Sequence, residues 1–259
     1  MADRAPVALV TGGRRGIGRG ICLALAAEGF DVVVADLGRD ADADETMAAI
    51  MALGRRAAWL TADIADVDGH AGIAAAAFGA FGTLDCLVNN AGVQVAVRGD
   101  LLDTSAESFD RLMGVNLRGT FFLTQAIARR MLAEERGDDA TPRSIVTITS
   151  ANAFIPAPDR AEYCFSKSAL SMMVKVLALR LAPHGIAAHE VRPGIIRTAM
   201  TAPAASAHGA RIASGVVPAR RWGEPEDVGR VVATLAAGRM PFSTGDAFHV
   251  DGGLHLPSI

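Results

Sequence analysis

Short apolar runs alternate along the whole chain with longer, alanine-rich stretches of helical period, and no other feature restricts the fold as strongly. The runs are almost unbroken and often β-branched, as expected of strands buried on both faces of a parallel sheet. Seven runs are predicted as strands: 6–12, 31–36, 57–63, 84–92, 143–150, 186–194 and 247–253. Six stretches are predicted as helices: 16–29, 42–54, 67–80, 105–135, 160–182 and 225–238. The alternation predicts a single-domain, doubly wound α/β fold over residues 1–259, with a mostly parallel seven-stranded sheet and helices on both faces.

One segment departs from this alternation. Residues 198–221 follow a predicted strand but show only weak periodicity. Long connections without regular structure inside a compact domain are often binding loops or lids. We therefore expect this segment to pass over a functional site as a substrate lid.

Composition and charge argue against several classes of partner. A net charge of −3 over 259 residues provides no broad positive surface for nucleic acid or acidic membranes. No apolar run approaches the roughly 20 residues that cross a bilayer, and a glycine-rich turn begins before a secretion signal could form. Three widely spaced cysteines indicate reduced thiols, so we expect a cytoplasmic protein acting on a small molecule. No group of side chains has the spacing of a metal site, so no metal is predicted.

The turn TGGRRGIG (11–18) follows the first predicted strand and opens the first predicted helix. Its glycines let backbone amides approach a phosphate closely, and the positive end of the helix adds to the attraction. The spacing is T-G-x-x-x-G-x-G rather than G-x-G-x-x-G. In its strand–helix context the turn predicts nucleotide binding.

Asp36 closes the second predicted strand, where an acid can accept a hydrogen bond from a ribose 2′-hydroxyl. A carboxylate there also repels a 2′-phosphate, which favours NAD over NADP. Arg15 argues in the other direction, because a guanidinium beside the turn can pair with a 2′-phosphate. We give Asp36 the greater weight and predict NAD as the preferred cofactor.

Tyr163 is the only tyrosine of the chain, and Lys167, one of two lysines, follows it by one helical turn. Free tyrosine titrates near about pH 10, which is too high for a base at neutral pH. A nearby ammonium group favours the phenolate and lowers the pKa of the phenol. The pair is therefore predicted to act as a general acid and base.

Ser150 ends the predicted strand 143–150, where its hydroxyl can hold a substrate oxygen near the phenol. Together with TGGRRGIG, NNAG (89–92) and VRPG (191–194), this order of motifs resembles the classical short-chain dehydrogenase/reductase family, in the branch of the 3-oxoacyl-carrier-protein reductases. The resemblance covers nearly the whole chain, and the combination of motifs is specific although no single one is. It implies a Rossmann fold and an NAD(P)-dependent oxidoreductase acting on CH–OH groups.

The resemblance also implies a role for each catalytic residue. Ser150 orients the substrate oxygen, and Tyr163 gives or takes its proton. Lys167 binds the nicotinamide ribose and lowers the pKa of the tyrosine. Asn116, in VNLRGTFF, holds a water of the proton relay. Thr149 stands where many relatives carry a second serine, which is a minor departure.

Further cofactor contacts follow from the same resemblance. They are expected at the phosphate turn, beside the adenine, along the adenine ribose and over the nicotinamide. The residues are Gly12, Arg15, Gly16, Ile17, Gly18 and Asp36, then Asp63, Ile64, Asn90, Ala91 and Gly92, and finally Tyr163, Lys167, Pro193, Gly194, Ile196 and Thr198.

The substrate is less well specified by the sequence. The loops 94–104, 151–161 and 198–221 are expected to line its pocket, with Ser150, Gln94 and Arg160 as candidate contacts. His208 and Arg211 suit a polar or anionic substrate and equally a solvated loop. The mixture of apolar and polar side chains fits a polyol, a sugar-derived or hydroxy-acid substrate, or a hydroxyacyl chain.

Three functional interpretations remain. The first is an NAD(H)-dependent oxidoreductase of a secondary alcohol or its ketone. The second is an NADPH-dependent 3-oxoacyl-thioester reductase, although the acids at 134 and 135 interrupt the basic patch of Arg129 and Arg130 that a carrier protein would contact. The third is a dinucleotide-sensing regulator without catalysis, which the complete catalytic set disfavours.

Assembly is inferred from apolar residues on several faces of the two long predicted helices. They are Leu112, Phe121, Phe122 and Ile127 on the first, and Met172, Met173, Val174 and Leu177 on the second. The resemblance implies contacts through these helices and the C-terminal GGLHLPSI, and we predict a homotetramer.

Overall fold

The computed structural model describes residues 4–134 and 141–256, and its seven strands agree with the sequence-based prediction. Each predicted run contains a strand, usually shorter by one to five residues because the run continues into a loop at the carboxyl edge. The strands are β1 (Val7–Thr11), β2 (Asp31–Asp36), β3 (Ala57–Thr61), β4 (Cys86–Asn89), β5 (Arg143–Ile148), β6 (Ile186–Pro193) and β7 (Ala247–Val250).

These strands form one sheet in the order β3-β2-β1-β4-β5-β6-β7, and every neighbouring pair is parallel. The order changes direction between β1 and β4, so the loops after these two strands leave the sheet toward opposite faces. A crevice forms at such a point, outside the carboxyl ends of the strands. The doubly wound Rossmann prediction is confirmed, and the observed pairing is wholly parallel.

Eight α-helices connect the strands of the described ranges. They are α1 (Gly16–Ala27), α2 (Ala41–Ala52), α3 (His70–Phe81), α4 (Ala106–Met113), α5 (Thr120–Ala133), α6 (Ala161–Leu181), α7 (Ala205–Ala213) and α8 (Pro225–Ala236). The helices α1, α2 and α8 pack on one face of the sheet, while α3 and α5 pack on the other. Neighbouring β1 residues face opposite layers: Ala8 and Val10 contact the first layer, and Val7 and Leu9 the second. This explains why the strand sequences are apolar throughout.

The predicted helix 105–135 is in fact interrupted, and position 135 lies outside the described residues. A π-helical segment, Gly114–Gly119, separates α4 from α5. Within it, the buried Asn116 side chain is hydrogen-bonded to the backbone of Val93 in the loop after β4. Single π-turns inside helices are frequent at functional sites. The hydrophobic period continues across the interruption, so the sequence pattern does not reveal it.

The segment 198–221 contains the helix α7, which the sequence analysis did not predict. A 3₁₀ turn, Ala202–Ala204, precedes it. A nine-residue helix with only two buried residues, His208 and Ile212, leaves too weak an apolar stripe to detect. None of the described helices combines the length and the apolar character needed to cross a membrane.

Candidate active site

A cavity of about 880 Å³ opens at the carboxyl edge of the sheet, around the switch between β1 and β4. Most of its lining comes from the strand ends and loops of the first six strands, together with α6 and α7, and Val115 and Leu254 complete it. All of the cofactor and substrate residues predicted from the sequence line this cavity. The one predicted catalytic residue that does not is Asn116.

The phosphate turn is held in place by the loop after β4. The Asn90 side-chain amide donates to the carbonyl oxygens of Thr11 at 2.9 Å and Gly12 at 3.0 Å. In return, the Thr11 hydroxyl accepts hydrogen bonds from the backbone amides of Asn90 and Ala91, both at 3.1 Å. The two predicted motifs, TGGRRGIG and NNAG, therefore stabilise each other.

Two glycines of the turn are required by its geometry. Gly12 has a φ of +66°, which a side chain would disfavour. A Cβ at Gly18 would overlap the carbonyl oxygen of Gly12. The backbone thus folds closely on itself and presents the start of α1 to the cavity, an arrangement that fits the diphosphate of a dinucleotide.

Asp36 lies at the end of β2 with its side chain only 13% exposed. Its carboxylate accepts from the backbone amide of Leu37 at 2.9 Å and from that of Arg14 at 3.4 Å. The guanidinium beside Asp36 belongs to Arg14, whose Nε lies 3.5 Å from the carboxylate, whereas Arg15 reaches Asp42 at 3.7 Å. Arg15, the arginine expected beside the cofactor, and Arg14 both line the cavity.

Other lining residues flank the two ends of the predicted cofactor site. Asp63 and Ile64 follow β3, and the Asp63 carboxylate accepts from the Ala65 amide at 2.9 Å. The end of β6 and the loop after it carry the lining residues Pro193, Gly194, Ile196 and Thr198. The open phosphate turn, the acid at β2 and this loop together fit a dinucleotide laid across the switch point.

The predicted catalytic residues meet where β5 ends and α6 begins. Ser150 follows β5, and its hydroxyl accepts from the Asn152 amide at 3.1 Å. Tyr163 lies in the first turn of α6, where its phenol is within hydrogen-bonding reach of Ser150. Lys167, one turn later, donates from Nζ to the Ile148 carbonyl at 3.0 Å, and this nitrogen lies 5.7 Å from the centre of the tyrosine ring.

Burial changes the titration of both members of the Tyr–Lys pair. The pKa of Tyr163 is raised, first by burial, while the Ser150 hydrogen bond and then the Arg160 charge oppose the rise. The pKa of Lys167 falls from 10.5 to about 8, again by burial, and the negative charge of Glu190 opposes the fall. Burial is thus the largest influence on the pKa of Tyr163, and the charge that opposes it is that of Arg160. The expectation that Lys167 lowers this pKa stays a prediction.

A buried ionic network lies behind the catalytic residues and was missed by the sequence analysis. The Glu190 carboxylate, on β6, accepts from the hydroxyls of Thr149 at 2.6 Å and Ser171 at 2.7 Å. Arg192 donates to the same carboxylate at 2.7 Å. The signal was present, since His189 and Glu190 are polar residues in the middle of an apolar strand. The network shows that Thr149 has a structural role of its own.

Asn116 is fully buried behind the cavity. Its side-chain oxygen accepts from the Val93 amide at 2.8 Å, and its nitrogen donates to the Val93 carbonyl at 3.0 Å and to the Ser166 hydroxyl at 3.2 Å. The residue therefore joins the π-helical segment, the loop after β4 and α6. The expectation that Asn116 holds a water of the proton relay stays a prediction.

The predicted substrate residues Gln94 and Arg160 also line the cavity. The guanidinium carbon of Arg160 lies 5.8 Å from the centre of the Tyr163 ring. The structure adds His208 and Arg211 from α7. The buried His208 ring packs edge-to-face on Trp222, with ring centres 5.9 Å apart. These two residues thus line the cavity and do not form a solvated loop.

A second group of polar side chains, His249, Asp251 and His255, meets near the C-terminal end of the described chain. Its atoms lie within metal-ligand reach, although no metal was predicted. The two imidazoles are stacked with centres 3.8 Å apart and planes inclined by 23°, so their in-plane lone pairs do not converge. Arg192, 3.4 Å from His249, also opposes a cation. Of the two histidines, only His255 is hydrogen-bonded to the Asp251 carboxylate, from Nδ1 at 2.8 Å, while His249 stacks on His255. We interpret the group as a structural contact of Asp251.

Comparison with known proteins agrees with this geometry. A family model described as enoyl-(acyl carrier protein) reductase matches residues 12–255. The chain is 33% identical to 2-dehydro-3-deoxy-D-gluconate 5-dehydrogenase of Dickeya dadantii, over 95% of this chain and 94% of that protein. It is 34% identical to 3-oxoacyl-[acyl-carrier-protein] reductase of a Synechocystis species, over 96% and 97% of the two chains.

Solved structures include a close match over the full length. The crystal structure of a 3-oxoacyl-[acyl-carrier protein] reductase from Brucella melitensis in complex with NAD superimposes with a TM-score of 0.95. The sequences are 49% identical, and the match covers 100% of both chains.

The burial of Lys167 predicts a specific pH dependence of stability. Because the pKa falls from 10.5 to about 8 on folding, the unfolded chain binds more protons between these pH values. The wild type should therefore gain stability with rising pH across this window, whereas Lys167→Met should not. The difference between their free energies of unfolding should rise by up to about 3 kcal/mol. Urea unfolding at several pH values measures the difference.

The control is Lys175→Met, the same substitution at an exposed position of α6. Its stability difference from the wild type should not rise in the same window. Parallel pH profiles for wild type and Lys167→Met would show that Lys167 keeps an ordinary pKa in the folded protein.

Proposed function

This chain belongs to the classical short-chain dehydrogenase/reductase family, and from that premise we propose that it transfers a hydride between NAD(H) and a secondary alcohol or the corresponding ketone. It is an NAD(P)-dependent oxidoreductase acting on CH–OH groups. The observation that carries the finer proposal is the meeting of Ser150, Tyr163 and Lys167 at one cavity wall, opposite the phosphate turn.

The chemistry of these side chains supports the proposal. The Ser150 hydroxyl donates a hydrogen bond to the substrate oxygen and stabilises negative charge that develops there. The Tyr163 oxygen takes the hydroxyl proton during oxidation and returns it during reduction. A bound nicotinamide cofactor supplies the hydride chemistry. Lys167 holds its ammonium group beside the phenol, and Asn116 keeps the loop after β4 in position and, we propose, holds a water of the proton relay.

The cofactor preference is proposed from the acid at the end of β2. The Asp36 carboxylate is fixed by two backbone amides and directed into the cavity. A 2′-phosphate at this point would meet a negative charge, whereas a free ribose can donate hydrogen bonds to it. The Brucella structure, a complex with NAD, supports the same preference. Since Arg14 already pairs with Asp36, it does not offer a free guanidinium for a 2′-phosphate.

The substrate class is proposed as a polyol, a sugar-derived alcohol or a hydroxy acid. The gluconate-type dehydrogenase among the relatives supports it, and the polar lining at Gln94, Arg160 and His208 suits hydroxyl or carboxyl groups. The alternative, an NADPH-dependent 3-oxoacyl-thioester reductase, is supported by the names of the Synechocystis and Brucella relatives. Turnover with NADP and an acyl thioester alone would favour that alternative.

We also propose that residues 1–259 act as one cytoplasmic domain whose segment 198–221 covers the substrate. Three buried cysteines without disulfide partners, Cys22, Cys86 and Cys164, fit a reducing compartment. The position of His208 and Arg211 in the cavity wall supports the lid.

Tyr163→Phe tests the proposed catalysis and separates it from a regulator that only binds cofactor. The variant keeps the ring and its packing but cannot transfer the proton, so kcat should fall by about 10²–10⁴-fold. The dissociation constant for NADH should stay within a few-fold of the wild type. Initial rates and fluorescence titration measure the two quantities. The control is Cys164→Ala, which changes the neighbouring residue on α6, outside the cavity lining, and should retain activity. Undiminished turnover in Tyr163→Phe would contradict the proposed role of Tyr163.

Asp36→Ser tests the cofactor preference. Loss of the carboxylate removes its repulsion of a 2′-phosphate, so the ratio of kcat/KM for NADP to that for NAD should increase by about tenfold or more. Asp44→Ser is the matched control, because it makes the same change at an exposed residue outside the cavity lining. A wild type that already prefers NADP would contradict the proposal.

The homotetramer is proposed from apolar side chains that the single chain leaves exposed. Phe121 and Phe122 on α5 are exposed by 41% and 36%, and Met172 on α6 by 59%. Leu112, Ile127, Met173 and Val174, which were predicted with them, are buried in the chain itself. Leu179, also on α6, is 82% exposed. Residues 257–259 of the predicted C-terminal contact lie outside the described part of the chain.

Light scattering should give about four times the chain mass of 26.8 kDa. Phe122→Glu should lower that mass, since a charge cannot be buried in an apolar contact without a partner. A wild type that scatters as a monomer would overturn the proposal.

A further inference from the structure

The carboxylates that line the cavity are confined to one end of it. They are Asp36, Asp42 and Asp63 on the β2–β3 side of the switch point, where the lining residues Arg14 and Arg15 lie beside Asp36 and Asp42. On the other side, near Tyr163, the charged lining residues are cationic: Lys167, Arg160 and Arg211. Asp159, next to Arg160 in the chain, is outside the lining and is paired with Arg98 at 2.9 Å.

Three polar side-chain atoms at this cationic end are buried without a hydrogen-bond partner among the described residues. The atoms are Nε of Arg160, Nδ1 of His208 and Oε1 of Gln94. A buried polar atom left without a hydrogen bond is costly, so such atoms are usually satisfied by protein or by a ligand. They come from three different segments: the loop after β4, the turn before α6, and α7. Convergence of independent segments on one polar corner is typical of a site that orients a ligand.

The corner has a positive electrostatic field. The pKa of the Arg160 guanidinium is lowered by burial and then by the charge of Arg98. The pKa of His208 is lowered by burial and then by Arg160, Arg98 and Arg211. At neutral pH the imidazole is therefore neutral and can donate one hydrogen bond, and Arg160 supplies the charge. A carboxylate can accept a hydrogen bond from His208 and pair with the Arg160 charge, because an ionised carboxylate only accepts hydrogen bonds and matches the geometry of a guanidinium group.

The corner is close to the reacting atoms. The Arg160 guanidinium carbon lies 5.8 Å from the centre of the ring whose oxygen transfers the proton. An anionic group held there is separated from the reacting carbon by only a short part of the substrate. This distance suits a small acid better than the uncharged acyl part of a long thioester.

We propose that Arg160 and His208 form a carboxylate subsite, so that the substrate is a small hydroxy acid or the corresponding oxo acid. The inference rests on the proposed function, because it assigns the substrate class of the same cavity. Gln94 contributes its amide to the neighbouring hydroxyl groups of the substrate. Arg211, exposed at the mouth of the cavity, attracts the anion during entry.

The test compares acids with their uncharged amides. The probes are 3-hydroxybutanoate with 3-hydroxybutanamide and gluconate with gluconamide, each assayed with NAD. The wild type should favour at least one acid over its amide by about tenfold or more in kcat/KM. Arg160→Gln should lower kcat/KM for that acid by about 10- to 100-fold, mainly through KM, as expected for a lost hydrogen bond to a charged group. The value for the amide should change little.

Two further variants separate binding from folding. Arg160→Lys keeps the charge and should recover part of the preference for the acid. Arg230→Gln removes a guanidinium from the exposed face of α8, outside the cavity lining, and should leave the preference unchanged. Equal losses for acid and amide in Arg160→Gln would mean that Arg160 only supports the fold of the site, and would overturn the proposal.

A binding measurement distinguishes failure of this inference from failure of the proposed function. Calorimetric titration of the Tyr163→Phe variant, saturated with NAD, reports acid binding without turnover. Turnover of the amides with no preference for acids overturns the subsite and leaves the oxidoreductase proposal intact. Acid binding that depends on Arg160, without turnover of any probe in the wild type, supports the subsite and contradicts the proposed reaction. Absence of both binding and turnover overturns the subsite.

Discussion

The parallel pairing of β1 with β4 is the constraint on which the site depends. Because the strand order changes direction there, the loops after these strands separate and leave a crevice at the carboxyl edge. Reciprocal hydrogen bonds between Thr11 and Asn90 then join the two loops across the crevice. The glycine turn is held open by this link, and the cofactor and substrate ends of the cavity are built outward from it.

A group of buried charged residues also fixes the geometry of the site. Lys167 is kept in an apolar setting by its hydrogen bond to the Ile148 carbonyl, and Glu190 lies behind it in a network with Arg192. A buried charge is costly unless it is paired and hydrogen-bonded, so each member of this group limits where the others can lie. Glu190 and Arg192, which are outside the cavity lining, thus help to position Lys167, which is part of it. Asn116 acts in the same way through the backbone of Val93.

The carboxylates of the cavity lining all lie on the β2–β3 side, whereas the charged lining residues near Tyr163 are cationic. The acids on the β2–β3 side suit ribose hydroxyl groups, and the arginines near Tyr163 suit an anion. The acids and the arginines are separated because they belong to loops that follow different strands of the same sheet. A single sheet with variable loops can therefore keep its hydride chemistry while the substrate end changes.

The sequence by itself determined the strand–helix alternation, the parallel sheet, the phosphate turn and the set formed by Ser150, Tyr163 and Lys167. Those features are recorded in local period and short motifs, which neighbouring residues along the chain suffice to show. Only the tertiary structure decided that Arg14 lies beside Asp36, that a π-helical segment holds Asn116 behind the cavity, and that α7 brings His208 to Arg160. It also placed Glu190 behind Lys167 and raised the pKa of Tyr163. These outcomes depend on burial and on distances between residues far apart in the chain, and no local pattern contains them.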